Sequence, residues 1–149
     1  MVQRCRLLIL LPLLAAAVIV TARDATAQSV GIDGLRFTTA FPFMTENATL
    51  DAGSYTVTRV GANPRLLQFT NDTTRKTTLV TVNRGKLPVH PPYPTGVSFE
   101  HTGDAYLLSS IWDATSGIAA DAVKPAPGRV SVGQPTFRSV PATKDDSRH

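Results

Sequence analysis

Two segments of alternating polarity, joined by only two turn residues, commit the middle of this chain to antiparallel β-structure. Residues 97–102 and 105–113 are rich in β-branched and aromatic side chains, and Gly103 and Asp104 lie between them. Glycine accepts the positive φ angle of a tight hairpin turn, so this loop favours direct pairing of the flanking strands. The predicted register places Thr102 opposite Ala105, His101 opposite Tyr106, Phe99 opposite Leu108, and Val97 opposite Ser110.

One face of this hairpin is more aromatic than the other, and we expect it to face the core. It carries Val97, Phe99, His101, Tyr106, Leu108 and Trp112. The opposite face carries Ser98, Glu100, Thr102, Ala105, Leu107, Ser109 and Ile111, and its Glu100 is expected to be solvated. A shift of one residue would exchange the two faces, so the hydrophobic pattern specifies the pairing.

The rest of residues 28–124 repeats this kind of segment. Strands are predicted at 35–41, 47–50, 54–60, 65–70 and 76–83, with turn residues roughly every eight to twelve positions, as in β-sandwiches and barrels. Residues 114–124 fit either a short helix or a final strand. The sequence therefore predicts one all-β domain over 28–124, a small antiparallel sandwich or barrel of about seven strands.

The N-terminal residues predict a cleaved secretory signal peptide over 1–27. Arg4 and Arg6 precede an uncharged apolar run over 7–20, and Ala-Thr-Ala at 25–27 matches the pattern that signal peptidase cleaves, leaving Gln28 first. The run has about fourteen residues, fewer than the roughly 20 needed to span a bilayer, which favours cleavage over a retained anchor. We expect a bacterial protein of the periplasm or the extracellular space, with membrane contact only through this leader.

Removal of the leader also changes the composition. It takes away the single cysteine, Cys5, so the mature chain has no disulfide and no thiol nucleophile, which favours a bacterial envelope protein. The full chain has 15 Lys and Arg against 11 Asp and Glu, and the leader holds three arginines and one aspartate. The mature charge is therefore about +2, and its scattered basic residues argue against nucleic-acid binding.

Residues 125–149 are predicted to form a flexible tail. Four prolines stand there among polar and charged residues, and few apolar side chains could offset the cost of ordering the segment. The prolines are Pro125, Pro127, Pro135 and Pro141.

Residues that carry catalytic chemistry are sparse. There are three histidines, His90, His101 and His149, and none forms an H-x-H or H-E-x-x-H metal motif. No Gly-x-Ser-x-Gly elbow occurs. Glu46 and Glu100 are the only glutamates, which leaves little for a glycosidase pair. We therefore expect no metal, no cofactor and no catalytic residue.

Four side chains are candidates for binding. Trp112 could stack on a carbohydrate, although ending a buried strand is the favoured interpretation. His101 and Tyr106 are expected to pack together at the end of the hairpin. Tyr93 lies in the Pro-rich segment 91–94, which fits either a polyproline II ligand for an aromatic groove or a rigid spacer.

Several of these segments also occur together in a known group of proteins. They are Phe-Pro-Phe at 41–43, Asn-Ala-Thr-Leu-Asp-Ala-Gly-Ser-Tyr-Thr-Val at 47–57, and the hairpin 99–112. In these features the chain resembles, over about residues 35–124, a family of small exported proteins of uncharacterised function common in Acidobacteria-like bacteria. It departs from the family pattern at Asp51, where proline is usual, and at 115–118, where a charged segment often follows the tryptophan. The resemblance implies a compact β domain of the cell envelope and carries over no catalytic residue.

Three functions remain open from the sequence. The favoured one is a non-catalytic envelope or extracellular β domain that binds or scaffolds an envelope protein or a polysaccharide. The first alternative is a small-ligand-binding barrel, with a cavity lined by apolar residues such as Phe37, Tyr55, Phe69, Phe99 and Trp112. The second alternative is a hydrolase that uses His101 with an aspartate.

Overall fold

The computed structural model describes residues 32–126 and 135–144, and these residues are built from β-strands. The ten strands are β1 (Leu35–Thr39), β2 (Phe43–Met44), β3 (Thr49–Leu50), β4 (Gly53–Arg59), β5 (Leu66–Asn71), β6 (Thr77–Arg84), β7 (Thr95–Thr102), β8 (Ala105–Asp113), β9 (Ile118–Ala122) and β10 (Thr136–Lys144). Within these two ranges, no helix is long and apolar enough to cross a membrane. The predicted leader, 1–27, lies outside the described residues.

Eight of the strands close into a ring. Their order around the ring is β8-β7-β10-β1-β4-β5-β6-β9, and β9 pairs back onto β8. Every pairing in the ring is antiparallel. β2 and β3 stand outside the ring, where β2 pairs in parallel with β8 through Met44 and Leu107. The predicted all-β class is confirmed as a closed antiparallel barrel.

Alternation along the strands fills the barrel lumen. Side chains two residues apart face the same side of a strand, so each ring strand sends every second residue inward. In the middle of β4, β5 and β6 the inward side chains are almost fully buried, namely Tyr55, Val57, Leu67, Phe69, Val80 and Val82. The residues between them face outward and are mostly threonine, which suits an exposed strand surface.

One end of the lumen is plugged by aromatic rings. Phe43 on β2 lies within the connection from β1 to β4, and this connection inserts its ring into the barrel, leaving Phe43 1% exposed. The Phe43 centroid lies 5.1 Å from that of Phe99, 5.4 Å from that of Tyr55 and 6.1 Å from that of Phe37. We call this the plugged end; it also holds the turn at 103–104. The opposite end, at the last residue of β4 and of β6, is the open end.

The β7–β8 hairpin follows the predicted register near its turn and then departs from it. Gly103 has a φ of 60°, as the first position of a type II′ turn requires. Phe99 lies opposite Leu108 as predicted, but Ser98 lies opposite Ser110, so Ser109 is an extra residue and forms a β-bulge. Beyond the bulge the prediction was wrong, because Val97 lies opposite Ile111 instead of Ser110.

The bulge exchanges the two faces of β8. Ile111, predicted to face solvent, enters the lumen and is 0% exposed, whereas Trp112 leaves the lumen for the outer face of the barrel. Trp112 nevertheless stays 1% exposed, because the outer face of this hairpin is covered.

Glu100 on that outer face was predicted to be solvated, and this prediction was wrong. Its side chain is buried, and the carboxylate Oε2 accepts a hydrogen bond from the Lys124 ammonium at 2.5 Å. Lys124 follows β9, so the chain leaving β9 lies over the outer face of the hairpin. This ion pair compensates the cost of withdrawing the carboxylate from water.

The chain beyond residue 113 decides one open alternative and corrects one prediction. The segment 114–124, for which a short helix and a final strand were both predicted as alternatives, contains strand β9. The flexible tail predicted over 125–149 is corrected for residues 136–144, which form β10 between β7 and β1. β10 pairs with β7 as far as Pro141 and with β1 from Ala142 onward, so proline, which has no N–H to donate, stands where the partner changes. Residues 127–134 and 145–149 lie outside the described residues.

Candidate functional site

The open end of the barrel forms a cleft of about 790 Å³. Its walls come from the β4–β5 turn, the end of β6, and the β8–β9 turn with the start of β9. Sites for small molecules in proteins commonly have volumes of about 300–1,000 Å³. The cleft therefore has the size of a site for one small ligand.

The floor of this cleft is apolar. It is formed by Ile32, Leu67, Val82, Ile118 and Ala120. Three of these, Leu67, Val82 and Ala120, are buried members of the barrel core, so the floor is the upper surface of that core. The floor has the small side chain of Ala120, whereas phenylalanine rings fill the lumen at the plugged end. This difference in side-chain size leaves the open end unfilled.

Three arginines form the rim above this floor. Arg59 comes two residues after Val57, Arg84 two residues after Val82, and Arg65 two residues before Leu67. Strand alternation places Arg59 and Arg84 on the inward face, whereas Arg65 lies just before β5, and all three line the cleft. Antiparallel pairing of β4, β5 and β6 then brings them to the same end of the barrel.

The contacts of these arginines are unequal. Arg65 Nη2 donates a hydrogen bond to the Asn83 side-chain oxygen at 2.7 Å. The backbone N–H of Arg59 donates to Asp33 Oδ1 at 3.2 Å. Arg59 Nε is buried and has no hydrogen-bond acceptor among the described residues. A guanidinium N–H in that state is a donor available to a ligand.

The β8–β9 turn that walls the cleft is held by Asp113. Its Oδ1 accepts a hydrogen bond from the backbone N–H of Thr115 at 3.0 Å, and its Oδ2 accepts one from the Ser116 hydroxyl at 2.7 Å. Burial by itself raises the pKa of Asp113. The hydrogen bonds from Ser116 and Thr115 and the positive charge of Lys144 outweigh burial and lower that pKa below its usual value. The ionised carboxylate therefore stabilises this wall.

Two of the predicted binding residues, His101 and Tyr106, lie at the plugged end. Their ring centroids are 4.4 Å apart and the rings are stacked, as expected from the register. Tyr106 also stacks on Phe41 at 3.9 Å, and the Arg138 guanidinium lies 4.9 Å from the Phe41 centroid on the same column of rings. This column is remote from the cleft.

The other two predicted binding residues, Trp112 and Tyr93, contact each other near the start of β7. The Trp112 indole N–H donates to the backbone carbonyl of Tyr93 at 3.0 Å. A buried indole with a satisfied N–H is a packing residue. The two pairs of candidates are about five strand positions apart, roughly 16 Å, so they do not form one site.

The aromatic cavity suggested by the sequence does not exist where it was expected. Phe37 stacks on Tyr55 at 5.6 Å and meets Phe69 edge to face at 6.0 Å, so these rings fill the lumen themselves. In the described part of the chain, no group of three or more His, Cys, Asp or Glu side chains is placed to hold a metal ion.

Reasoning from the sequence missed the three rim arginines. The signal was present, because each arginine continues an inward-facing alternation by one step. The three arginines can be recognised as one group only when the pairing of β4, β5 and β6 is known. The local sequence pattern of each strand does not specify that pairing.

No protein-family model, curated protein or solved structure matches this chain. The geometry of the cleft, an apolar floor beneath an arginine rim, is what supports a function.

Proposed function

We propose that this chain is an exported, non-catalytic β-barrel that binds one small, partly apolar molecule in the open-end cleft. The observation that carries the proposal is the asymmetry of the lumen. Phe43 plugs one end, whereas the other end opens over an apolar floor that includes Leu67, Val82 and Ala120.

Barrel size supports a single small ligand. Eight-stranded barrels have an interior that side chains just fill or that holds one small molecule. In this barrel, side chains fill the plugged half, and the open half has room for one small molecule. An apolar ligand would bury the apolar surface that remains accessible in the cleft and gain the corresponding hydrophobic free energy.

The residues around the cleft support binding without catalysis. In the described part of the chain, the lining contains no histidine, cysteine or carboxylate that could act as a general base or nucleophile. Ser116 is present, but its hydroxyl donates to the Asp113 carboxylate and belongs to the turn. Hydrolysis through His101 would have to occur at the plugged end, where the imidazole stacks on Tyr106.

Export and envelope location are supported by the sequence. The basic head, the apolar run and the Ala-Thr-Ala site over 1–27 match a cleaved leader. The chain after that site contains no cysteine. The resemblance to small exported proteins points to the same compartment, a bacterial periplasm or cell exterior.

The test is binding of the neutral, apolar dye Nile red to the mature chain. Ala120→Phe fills part of the cleft above the floor and is expected to weaken dye binding by about tenfold or more, because the ring occupies the space that the dye would take. Thr81→Phe adds the same side chain on the outer face of β6 and is the matched control, expected to leave affinity unchanged. Circular dichroism establishes that both variants are folded.

A measurement without mutation keeps the test decisive. Addition of the dye to the wild-type chain should shift backbone amide NMR signals of 59–65, 82–85 and 116–120, and leave those of 37–43 unchanged. Shifts confined to the plugged end, or equal dye affinity in folded Ala120→Phe and Thr81→Phe, would contradict the proposal.

An envelope scaffold is the second candidate function, favoured by one observation. The segment between β6 and β7 exposes apolar side chains, with Val89 90% exposed and Leu87 36% exposed. Replacing both by serine should reduce retention of the mature chain on an isolated bacterial envelope fraction. The Ala120→Phe variant should be retained like the wild type if this surface, and not the cleft, makes the contact.

A further inference from the structure

We infer that the ligand of the cleft is an anionic amphiphile, with an oxyanion head bound by Arg59, Arg65 and Arg84 and an apolar tail on the floor. This inference rests on the proposed function of the cleft and names its ligand class. The shared chemistry of the head is that of a carboxylate or a phosphate.

The first support is where the three cations stand. β4, β5 and β6 are adjacent, and Arg59, Arg65 and Arg84 at their ends all line the same cleft instead of scattering over the surface. A cleft with low-dielectric walls concentrates the potential of charges at its rim. The mouth therefore attracts anions.

The second support is the charge of the residues that line the cleft. In the described part of the chain, none of the residues that line the cleft is an aspartate or glutamate. Two carboxylates lie beside it. Asp33 accepts the backbone N–H of Arg59, and Asp121, on the outward face of β9, lies against Gly85. Neither carboxylate is among the lining residues.

The third support is an unused donor inside the site. Arg59 Nε is buried without an acceptor among the described residues, a state that costs free energy until an acceptor arrives. Arg65 has only one guanidinium nitrogen engaged in a described hydrogen bond, through Asn83. Guanidinium groups present parallel N–H donors that match the two oxygens of a carboxylate or phosphate.

The apolar floor determines the chemistry of the part of the ligand that lies below the head group. Ile118, Val82 and Leu67 offer no hydrogen-bonding side chain below the arginines, so a second polar group on the ligand would lose its hydration there without replacement. An alkyl or aromatic tail would instead bury apolar surface. A single anionic head on an apolar tail satisfies both parts of the cleft.

The experiment is displacement of Nile red by four probes with one ten-carbon tail and different heads, each below its micelle concentration. They are decanoate, decyl phosphate, decanol and decyltrimethylammonium. Decanoate or decyl phosphate should displace the dye at about tenfold lower concentration than decanol, because hydrogen bonds between ionised partners are strong. The cationic probe should be the weakest. The better of the two anions identifies the head group.

Variants then assign the effect to the rim. Arg84→Gln lies at an exposed strand end and is expected to fold; it should weaken the anionic probe about five- to tenfold and leave decanol unchanged. Arg59→Gln should do the same. Lys76→Gln removes one positive charge at the plugged end, where Lys76 is exposed, and should change neither affinity.

The outcomes separate the two proposals. Equal displacement by decanol and both anions, or strongest displacement by the cationic probe, would overturn the anionic head while the binding cleft stands. An equal loss of anion affinity in Lys76→Gln and Arg84→Gln would show a general charge effect and overturn the assignment to the rim. Failure of the dye and of all four probes to bind would overturn both.

Discussion

The indole of Trp112 lies directly over Gly96 on the neighbouring strand. A Cβ atom placed on Gly96 would be 2.5 Å from Cζ2 of the indole and 3.0 Å from Cε2. The two residues are register partners in β7 and β8. The close approach explains how the outer face of the hairpin buries its largest side chain.

Gly96→Ala should therefore destabilise the barrel. The added methyl group forces the indole to move, and overpacking of this kind costs about 1–3 kcal/mol in free energy of unfolding. Urea unfolding followed by tryptophan fluorescence measures the loss. In a Trp112→Phe background the same change should cost less, because phenylalanine lacks the atoms that collide. Equal costs in the two backgrounds would contradict the contact.

Asp113→Asn should lower stability at neutral pH and have a shrinking effect in acid. The folded state lowers the pKa of Asp113, so the ionised carboxylate contributes stability that is complete above the unfolded-state pKa of about 3.9 and is lost as the pH falls through the lower, folded-state pKa. We expect a difference of about 1 kcal/mol near pH 7. Urea unfolding of both proteins from about pH 7 to pH 2.5 tests this, and a constant difference over that range would refute it.

Phe43→Ala should be among the most destabilising single changes in the chain. The ring plugs the lumen among Phe37, Tyr55 and Phe99, and truncation of such a residue costs about 3–5 kcal/mol. Phe137→Ala is the matched control, because Phe137 is 65% exposed and its loss should cost about 0.5 kcal/mol or less. Similar unfolding midpoints for the two variants would show that Phe43 is not buried as described.

Removal of residues 135–149 should abolish cooperative folding. That deletion takes away β10 and leaves β7 and β1 each without one partner, so the ring opens. Removal of 145–149 alone takes away no described strand and should leave the urea midpoint nearly unchanged. A cooperative, wild-type-like transition in the chain that ends at residue 134 would restore the flexible-tail interpretation.

The sequence predicted what depends on neighbouring residues. Gly103 and Asp104 predicted the turn, and Phe37, Tyr55 and Phe69, which were expected to lie inside a barrel, are buried in its lumen. The register of the hairpin was correct as far as Phe99, and it failed at Ser109. A single extra residue in a strand changes the composition and the periodicity of the sequence too little to be recognised from the local pattern.

The remaining features depend on contacts between distant segments. β10 was hidden because Pro141 and its polar neighbours resemble a tail, and only the gap between β7 and β1 turns them into a strand. The cleft was hidden for the same reason. Arg59, Arg65 and Arg84 are unremarkable in the sequence until three strands bring them to one mouth.

The position of β10 between β7 and β1 also decides when the protein can finish folding. β1 is the first and β10 the last of the ten described strands, so β1 can gain its second partner only when residues 136–144 are available. Until then both flanking strands keep unpaired backbone groups. The barrel therefore closes only when residues 136–144 join it, and a chain shortened before β10 would form an open sheet prone to pairing with other chains.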